Sequence, residues 1–297
     1  MYISRRLSHV YAQSKQIPFN DNSKFIFFSD CHRGDNSKAD NFAPNRKIYN
    51  SALDYYYKAG YTYIEIGDGD ELWENDRFSS LVNAHLDIYM SLQKFHNANR
   101  YYMIWGNHDI CKRSAVFVKR NLFSYYNSGL NKFEPLFDGI NLHEGLILKY
   151  NGTPYEVFVV HGHQGELIND YLWPLARFFV RHIWRYYQQF RYIDPISPAR
   201  NIAKRDEIER NITGWVNTHN KMIIAGHTHH YVFPKVGETP YFNDGCCIYS
   251  GYITGIEISN GEISLVKWSQ KLDKSGESTY VRDIIAGPER IENFFSS

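Results

Sequence analysis

Five short apolar runs in this chain each stop abruptly at an Asp, Asn or His. Phe25-Ile-Phe-Phe28 leads into Ser29-Asp30-Cys31-His32, Tyr63-Ile-Glu-Ile66 into Gly67-Asp68-Gly69-Asp70-Glu71, and Tyr102-Met-Ile-Trp105 into Gly106-Asn107-His108-Asp109. Val157-Phe-Val-Val160 then leads into His161-Gly162-His163, and Met222-Ile-Ile-Ala225 into Gly226-His227-Thr228-His229. Runs this short, glycine-bounded and rich in aromatic and β-branched residues, read as buried strands. Sites in α/β folds are built beyond the carboxyl ends of strands. Five pieces with one strand-then-ligand layout argue for metal chemistry.

Between the first two runs, Ile48, Ala52, Tyr55, Tyr56 and Ala59 recur at helical spacing and Gly60 follows as a stop signal. The stretch from Leu81 through Ile88, Leu92 and Phe95 repeats the pattern, giving β-α-β-α-β and a right-handed parallel arrangement. Later the chain changes character. Residues 146–150 and 155–160 flank Asn151-Gly152, and residues 252–258 and 263–268 flank Asn260-Gly261, two hairpins that supply antiparallel strands. After about Gln270 the composition offers little to a core.

A length of 297 residues, 43% of them hydrophobic, suffices for a sizeable core, and no linker divides it, so residues 1–297 are expected to form a single domain. A formal net charge of +1 provides no global basic field and gives nucleic acid no support as a partner. The first residues hold no apolar signal core, and Cys31, Cys111, Cys246 and Cys247 form no CxxC pair, so the expected compartment is the cytoplasm. Cys31 and Cys111 adjoin candidate ligands but read as small buried hydrophobes.

Residues 170–219 stand apart as a helical insertion between the fourth and fifth motifs, two helices broken near Pro195 and Pro198. The first is apolar over most of its circumference, with Trp173, Phe178, Phe179 and Trp184, and carries Arg177, Arg181 and Arg185 as a strip. Ser197-Pro198 reads as the start of the second, with Ile208, Ile212, Trp215, Val216 and His219 on one side. The insertion is either a lid, giving peripheral membrane contact, or a hairpin packed on the main body.

The ordered set DxH, GDxxE, GNHD, HG and GHTH, from Asp30 to His229, resembles the calcineurin-like metallophosphoesterase superfamily. That resemblance implies an α/β fold, a four-layer αββα sandwich of two mixed sheets. It also implies two divalent ions, with Asp68 bridging, Asp30, His32 and His229 on one, and Asn107, His161 and His227 on the other. Nitrogen and oxygen donors with carboxylates and an amide suit Mn²⁺, with Fe and Zn²⁺ as alternatives. His108 matches the family's acid or leaving-group stabiliser. Glu71 matches the carboxylate that orients it, and Asp109 is the other residue placed to do so. Arg33, Lys112 and Arg113 are expected on the substrate side, meeting phosphate oxygens that the ions do not hold, and His163 either on the substrate side or behind a ligand.

Trp73, in Gly67-Asp-Gly-Asp-Glu-Leu-Trp73, and the long insertion are similar to bacterial UDP-2,3-diacylglucosamine pyrophosphatases. The chain departs from that group at His108, where it has Arg, and at His163, where it has Asp. The expected activity is therefore metal-dependent hydrolysis of a phosphoester, on a phosphorylated small molecule or a lipid-linked pyrophosphate. Phosphodiester or phosphoprotein cleavage on soluble substrates is the alternative. A non-catalytic scaffold would tend to lose ligands or the acid His, and all are present.

Overall fold

Alternation along the first apolar run dictates the architecture. In the computed structural model, which describes residues 2–166, 170, 201–272 and 278–295, Phe25 and Phe27 enter one core while Ile26 and Phe28 enter another. A strand buried on both faces needs a layer on each side.

The first sheet supplies that strand. Its parallel part is β2 (Phe25–Phe28), β3 (Thr62–Ile66), β4 (Tyr101–Ile104) and β7 (Leu142–His143), in that order. Beyond β2 lie β12 (Tyr252–Ser259), β13 (Glu262–Leu272) and β14 (Ser278–Arg290), all antiparallel to their neighbours. The second sheet has the order β1 (Lys15–Phe19), β8 (Gly145–Tyr150), β9 (Glu156–Val160), β10 (Met222–Ala225) and β11 (Tyr241–Asn243). Only its β8–β9 pair is antiparallel. A small hairpin, β5 (Ser124–Asn127) and β6 (Lys132–Pro135), stands outside both sheets.

Apolar side chains from both sheets, among them Phe25, Phe27, Ile64, Leu146, Val157 and Ile224, meet in a shared core. Helices α2 (Arg46–Lys58), α3 (Phe78–Ala84) and α4 (Leu86–Asn97) contribute to the core outside the first sheet. Helices α1 (Tyr2–Gln13) and α6 (Ile202–His219) cover the second through Leu7, Val10, Ile208, Ile212 and Trp215. The short α5 (Ala115–Asn121) follows the GNHD loop. This is the expected α/β sandwich of two mixed sheets with helices outside.

Both predicted hairpins form. Asn260 and Gly261 take φ of 56° and 69° in a two-residue connection, the left-handed pair that matches strand twist. The single helical pattern from Leu81 to Phe95 is two helices with a break at His85.

Two expectations change. The segment after Gln270 is not spare: β14 pairs along β13, and Ile291 and Phe294 beyond it are buried in the core between the sheets. Its low apolar content reflects an edge strand with much of its surface exposed. The later half of the expected insertion is also part of the sandwich. Helix α6 starts at Ile202, where Asn201 Oδ1 accepts the Lys204 N–H (3.1 Å), and it forms an outer layer with α1. His219 is exposed, with its ring stacked on Trp215. Trp173, Phe178, Phe179, Trp184, the arginine strip and Ser197-Pro198 lie outside the described residues. Among those described, no helix is long and apolar enough to cross a membrane.

Candidate metal centre

Each motif begins where a strand of one of the two sheets ends, so the loops converge at one edge of the sandwich. The loops after β2 and β3 are cross-tied by backbone hydrogen bonds, including Asp30 N to Gly67 O (3.2 Å) and His32 N to Asp68 O (2.9 Å), and the loop after β4 is tied in by the His108 N–H on the Asp68 carboxylate. Asp30, His32, Asp68, His227 and His229 all take positive φ, between 46° and 68°. Left-handed backbone at a non-glycine residue costs about 1–3 kcal/mol and persists where the surroundings over-determine it. Five strained residues that are all candidate ligands mark one functional cluster.

Of three groups of close ligand atoms, two hold candidate ligands, Asp30, His32 and His229, and Asp68, His161 and His227, and the third is His32, Glu71 and His108. Asp30 Oδ2 accepts the His227 N–H (2.8 Å) and a bond from the Ser29 hydroxyl, which leaves Oδ1 to face inward. Asp68 Oδ1 accepts the His108 N–H (2.8 Å), which leaves Oδ2. That oxygen lies 3.2 Å from His161 Nε2 and 3.8 Å from His32 Nε2, between the two groups. Glycine is needed at two joints: a Cβ on Gly106 would overlap the Asp68 carboxylate, and one on Gly226 would overlap Ser29 Oγ and Asp30 Oδ2.

The imidazoles are oriented from behind. His161 Nδ1 bonds the Ile66 carbonyl (2.7 Å), so Nε2 carries the lone pair that points at Asp68. His32 is held through Nδ1 by Glu71 Oε2 (2.9 Å), and His227 through Nε2 by Glu166. Lys204 of α6 lies 3.2 Å from the other oxygen of Glu166.

Several inward atoms are buried without a hydrogen bond: Asp30 Oδ1, Asn107 Oδ1 and His161 Nε2. Asp30 Oδ1 is 3.0 Å from His229 Nε2, yet the two are not aligned to pair. Buried polar atoms normally find partners. Lone pairs that crowd together without pairing are converging on shared points, which is what cations require. The residues present therefore fit divalent metal ions held by oxygen and nitrogen donors.

A family model described as calcineurin-like phosphoesterase matches residues 23–231. The chain belongs to the calcineurin-like phosphoesterase family. Among solved structures it is similar to Vps29 from Chaetomium thermophilum, at 7% identity and a TM-score of 0.41, covering 89% of this chain and 96% of that one. It is also similar to the cold-active protein tyrosine phosphatase of a psychrophilic Shewanella species, at 13% identity and a TM-score of 0.42, covering 92% and 83%. No curated protein sequence matches significantly.

Beside the ligand groups of this phosphoesterase, His108 Nδ1 bonds Glu71 Oε2 at 2.7 Å, and the side chain is a quarter exposed. Burial opposes its charge, but Glu71 and Asp68 raise its pKa above the usual imidazole range. The partner of His108 is thus Glu71. Asp109 is turned away: it accepts the Gly106 N–H (2.7 Å) and the Lys112 ammonium (2.7 Å), and orders the loop rather than the His108 ring.

Two substrate-side expectations are corrected. Arg33 is fully buried, forked onto Glu65 (2.8 and 3.0 Å) and bonded to Asp70 (2.8 Å). Lys112 is equally buried, between Asp70 (2.6 Å) and Asp109. Neither is presented to a substrate, because Glu65, Asp70 and Asp109 draw both cations behind the loops. His163 is fully buried beside His161 and His227, and burial, followed by the charge of those rings, holds its pKa well below the usual range. Arg113 remains exposed. Cys31 is buried in the core, and no cysteine joins the ligand groups among the described residues.

Sequence reading missed Asp244, which follows β11 in the same strand-then-Asp layout. It is fully buried, with a carboxyl oxygen 2.6 Å from Ser29 Oγ, behind Asp30. It missed Glu166 because a lone Glu past a motif carries no signal. Glu166→Gln is expected to weaken metal binding at the group that includes His227 by about 10–100-fold, the usual cost of losing a carboxylate behind a ligating histidine. Isothermal titration with Mn²⁺ checks this.

Ligand protonation sets a pH dependence. Burial opposes the charge on His161, but Asp68 and Asp30 outweigh it and hold the pKa up to about 9. Because a cation at Nε2 must displace that proton, Mn²⁺ affinity is expected to rise with pH up to about 9. The metal-free protein should show the opposite trend. The raised pKa stabilises it fully below the ordinary value of 6.5, and this is lost as pH rises through about 9. Urea titrations of metal-free protein at pH values across that window check the sign.

Proposed function

We propose that this chain is a two-ion phosphoester hydrolase in which Asp68 bridges the ions. Asp30, His32 and His229 hold one ion, and Asn107, His161 and His227 the other. The observation that carries the reading is the set of buried, unpaired ligand atoms facing one another beside the His108–Glu71 pair. A pair of divalent ions supplies Lewis acidity toward phosphoryl oxygens and a water nucleophile at neutral pH.

The protein's own residues do the rest. Glu71 Oε2 accepts a hydrogen bond from the Nδ1–H of His108 and favours its protonated form, so the partly exposed ring presents Nε2–H as the acid toward a leaving oxygen. Asn107 adds a neutral oxygen donor, which completes a shell without repelling the phosphate. Arg113, exposed just beyond the GNHD loop, is the cation this reading assigns to a phosphate oxygen.

Mn²⁺ is the proposed metal, by donor type. The substrate is a phosphorylated small molecule or lipid. Its narrower identity is approached by comparing long-chain lipid phosphates with p-nitrophenyl phosphate in a Trp173→Ser, Phe178→Ser variant. The primary test is cleavage of p-nitrophenyl phosphate and its bis ester by metal-stripped protein resupplied with Mn²⁺, Fe²⁺ or Zn²⁺. Metal-stimulated cleavage supports the reading, and no cleavage of either ester with any of the three overturns it.

A further inference from the structure

Two residues beyond Glu71 the chain places Trp73, an aromatic that the chemistry above does not use. Its indole lies nearly parallel to the His108 ring, with centroids 4.4 Å apart and planes 19° apart. The indole is buried, while the ring it covers is partly exposed. The Trp73 backbone N–H donates to Glu71 Oε1 (3.1 Å), as does that of Glu74 (3.2 Å). The other oxygen, Oε2, takes both His108 Nδ1 and His32 Nδ1. On another side, His32 meets the His108 ring edge to face, at 4.5 Å and 87°.

An imidazole held through one nitrogen still swings about that hydrogen bond. One face packed on an indole and a second contact with a metal-ligand ring remove that freedom. The same short segment also fixes the carboxylate, so a single turn sets both the anchor and the wall of the ring.

We infer that Trp73 is a positioning residue of the hydrolytic reaction, aiming His108 Nε2 at the leaving-group oxygen. This rests on the reading of His108 as the acid. Proton donation matters little for a p-nitrophenolate leaving group and much for an alkoxide, so misaiming the ring should show in the leaving-group dependence. Misplacement by about 1 Å can cost about 10²-fold.

The experiment compares Trp73→Ala, Trp73→Phe, His108→Ala and the Trp73→Ala, His108→Ala double variant. Each is assayed on p-nitrophenyl phosphate and on an alkyl phosphate, with Mn²⁺ stoichiometry measured in parallel. Trp73→Ala is expected to lower kcat on the alkyl ester by about tenfold to a hundredfold, with KM, metal content and p-nitrophenyl turnover little changed. Trp73→Phe, which retains a flat ring, should recover most of the loss. With His108 absent, removing Trp73 should cost almost nothing further, because residues acting through one another are non-additive.

Equal losses on both esters, or a Trp73→Ala loss that persists undiminished without His108, would overturn the inference while leaving the acid role of His108 intact. If His108→Ala itself loses equally on both esters, the acid reading falls and the inference with it. Should Trp73→Ala fail to fold, Trp73→Leu fills the space without an aromatic face and is read in the same way.

Discussion

An Asp68→Ala protein is expected to lose the paired ions and to hydrolyse no ester above background. Asp68 is fully buried between the two ligand groups, its Oδ1 fixed by the His108 N–H and its Oδ2 directed at both. Burial opposes its ionisation, yet His161 and His108 outweigh burial and keep it a carboxylate well below the usual range. His108→Ala should behave differently. It should keep metal content near that of the parent while kcat on an alkyl ester falls by about 10²–10⁴, the range for removing a general acid. Metal analysis beside turnover numbers separates the two variants. A His108→Ala protein purified without ions would refute the division of labour, as would an Asp68→Ala protein that retained both.

Ligands were legible because each sits where a period-two apolar run breaks into Gly, Asp, Asn or His. That break is a local event, visible in a few residues. Asp30, His32, Asp68, Asn107, His161, His227 and His229 all lie just past such breaks, the family resemblance gave them ligand roles, and the structure brings their loops together. What local pattern does not carry is the direction a charged side chain takes. Arg33 and Lys112 follow motifs and look like phosphate contacts, but their partners Glu65 and Asp70 come from another segment. The signal was available in one place: Glu65, a charge inside the buried run of β3, had to be paired by something. Likewise β14 was illegible because edge strands are stabilised by backbone pairing, which leaves little mark on composition. Helix α6 was read with the right apolar face, but periodicity does not say which surface that face covers.

Those buried cations lead to the second large effect: Lys112→Met is expected to destabilise the fold by about 3–5 kcal/mol, the cost of breaking a buried ion pair from one side. Arg33 and Lys112, both fully buried, face Glu65, Asp70 and Asp109. Burial disfavours the ammonium, but Asp109, Asp70 and Glu65 together raise its pKa above the usual lysine range, so it is charged throughout the neutral region. Asp109 is already raised by burial, then by the charges of Asp68 and Asp70, with Lys112 the group that lowers it. Methionine matches the stem of lysine but brings no charge, so Asp70 would keep only Arg33 and Tyr89 while Asp109 would lose its cation. The loop should loosen as well, since Asp109 also holds the Gly106 N–H ahead of Asn107 and His108. Urea unfolding of metal-free protein measures the first effect and Mn²⁺ affinity the second. Arg113→Ala is the matched control one residue away: exposed, it should leave stability unchanged and raise KM. An unaltered urea midpoint in Lys112→Met would show that the buried cluster contributes no net electrostatic stability to the fold.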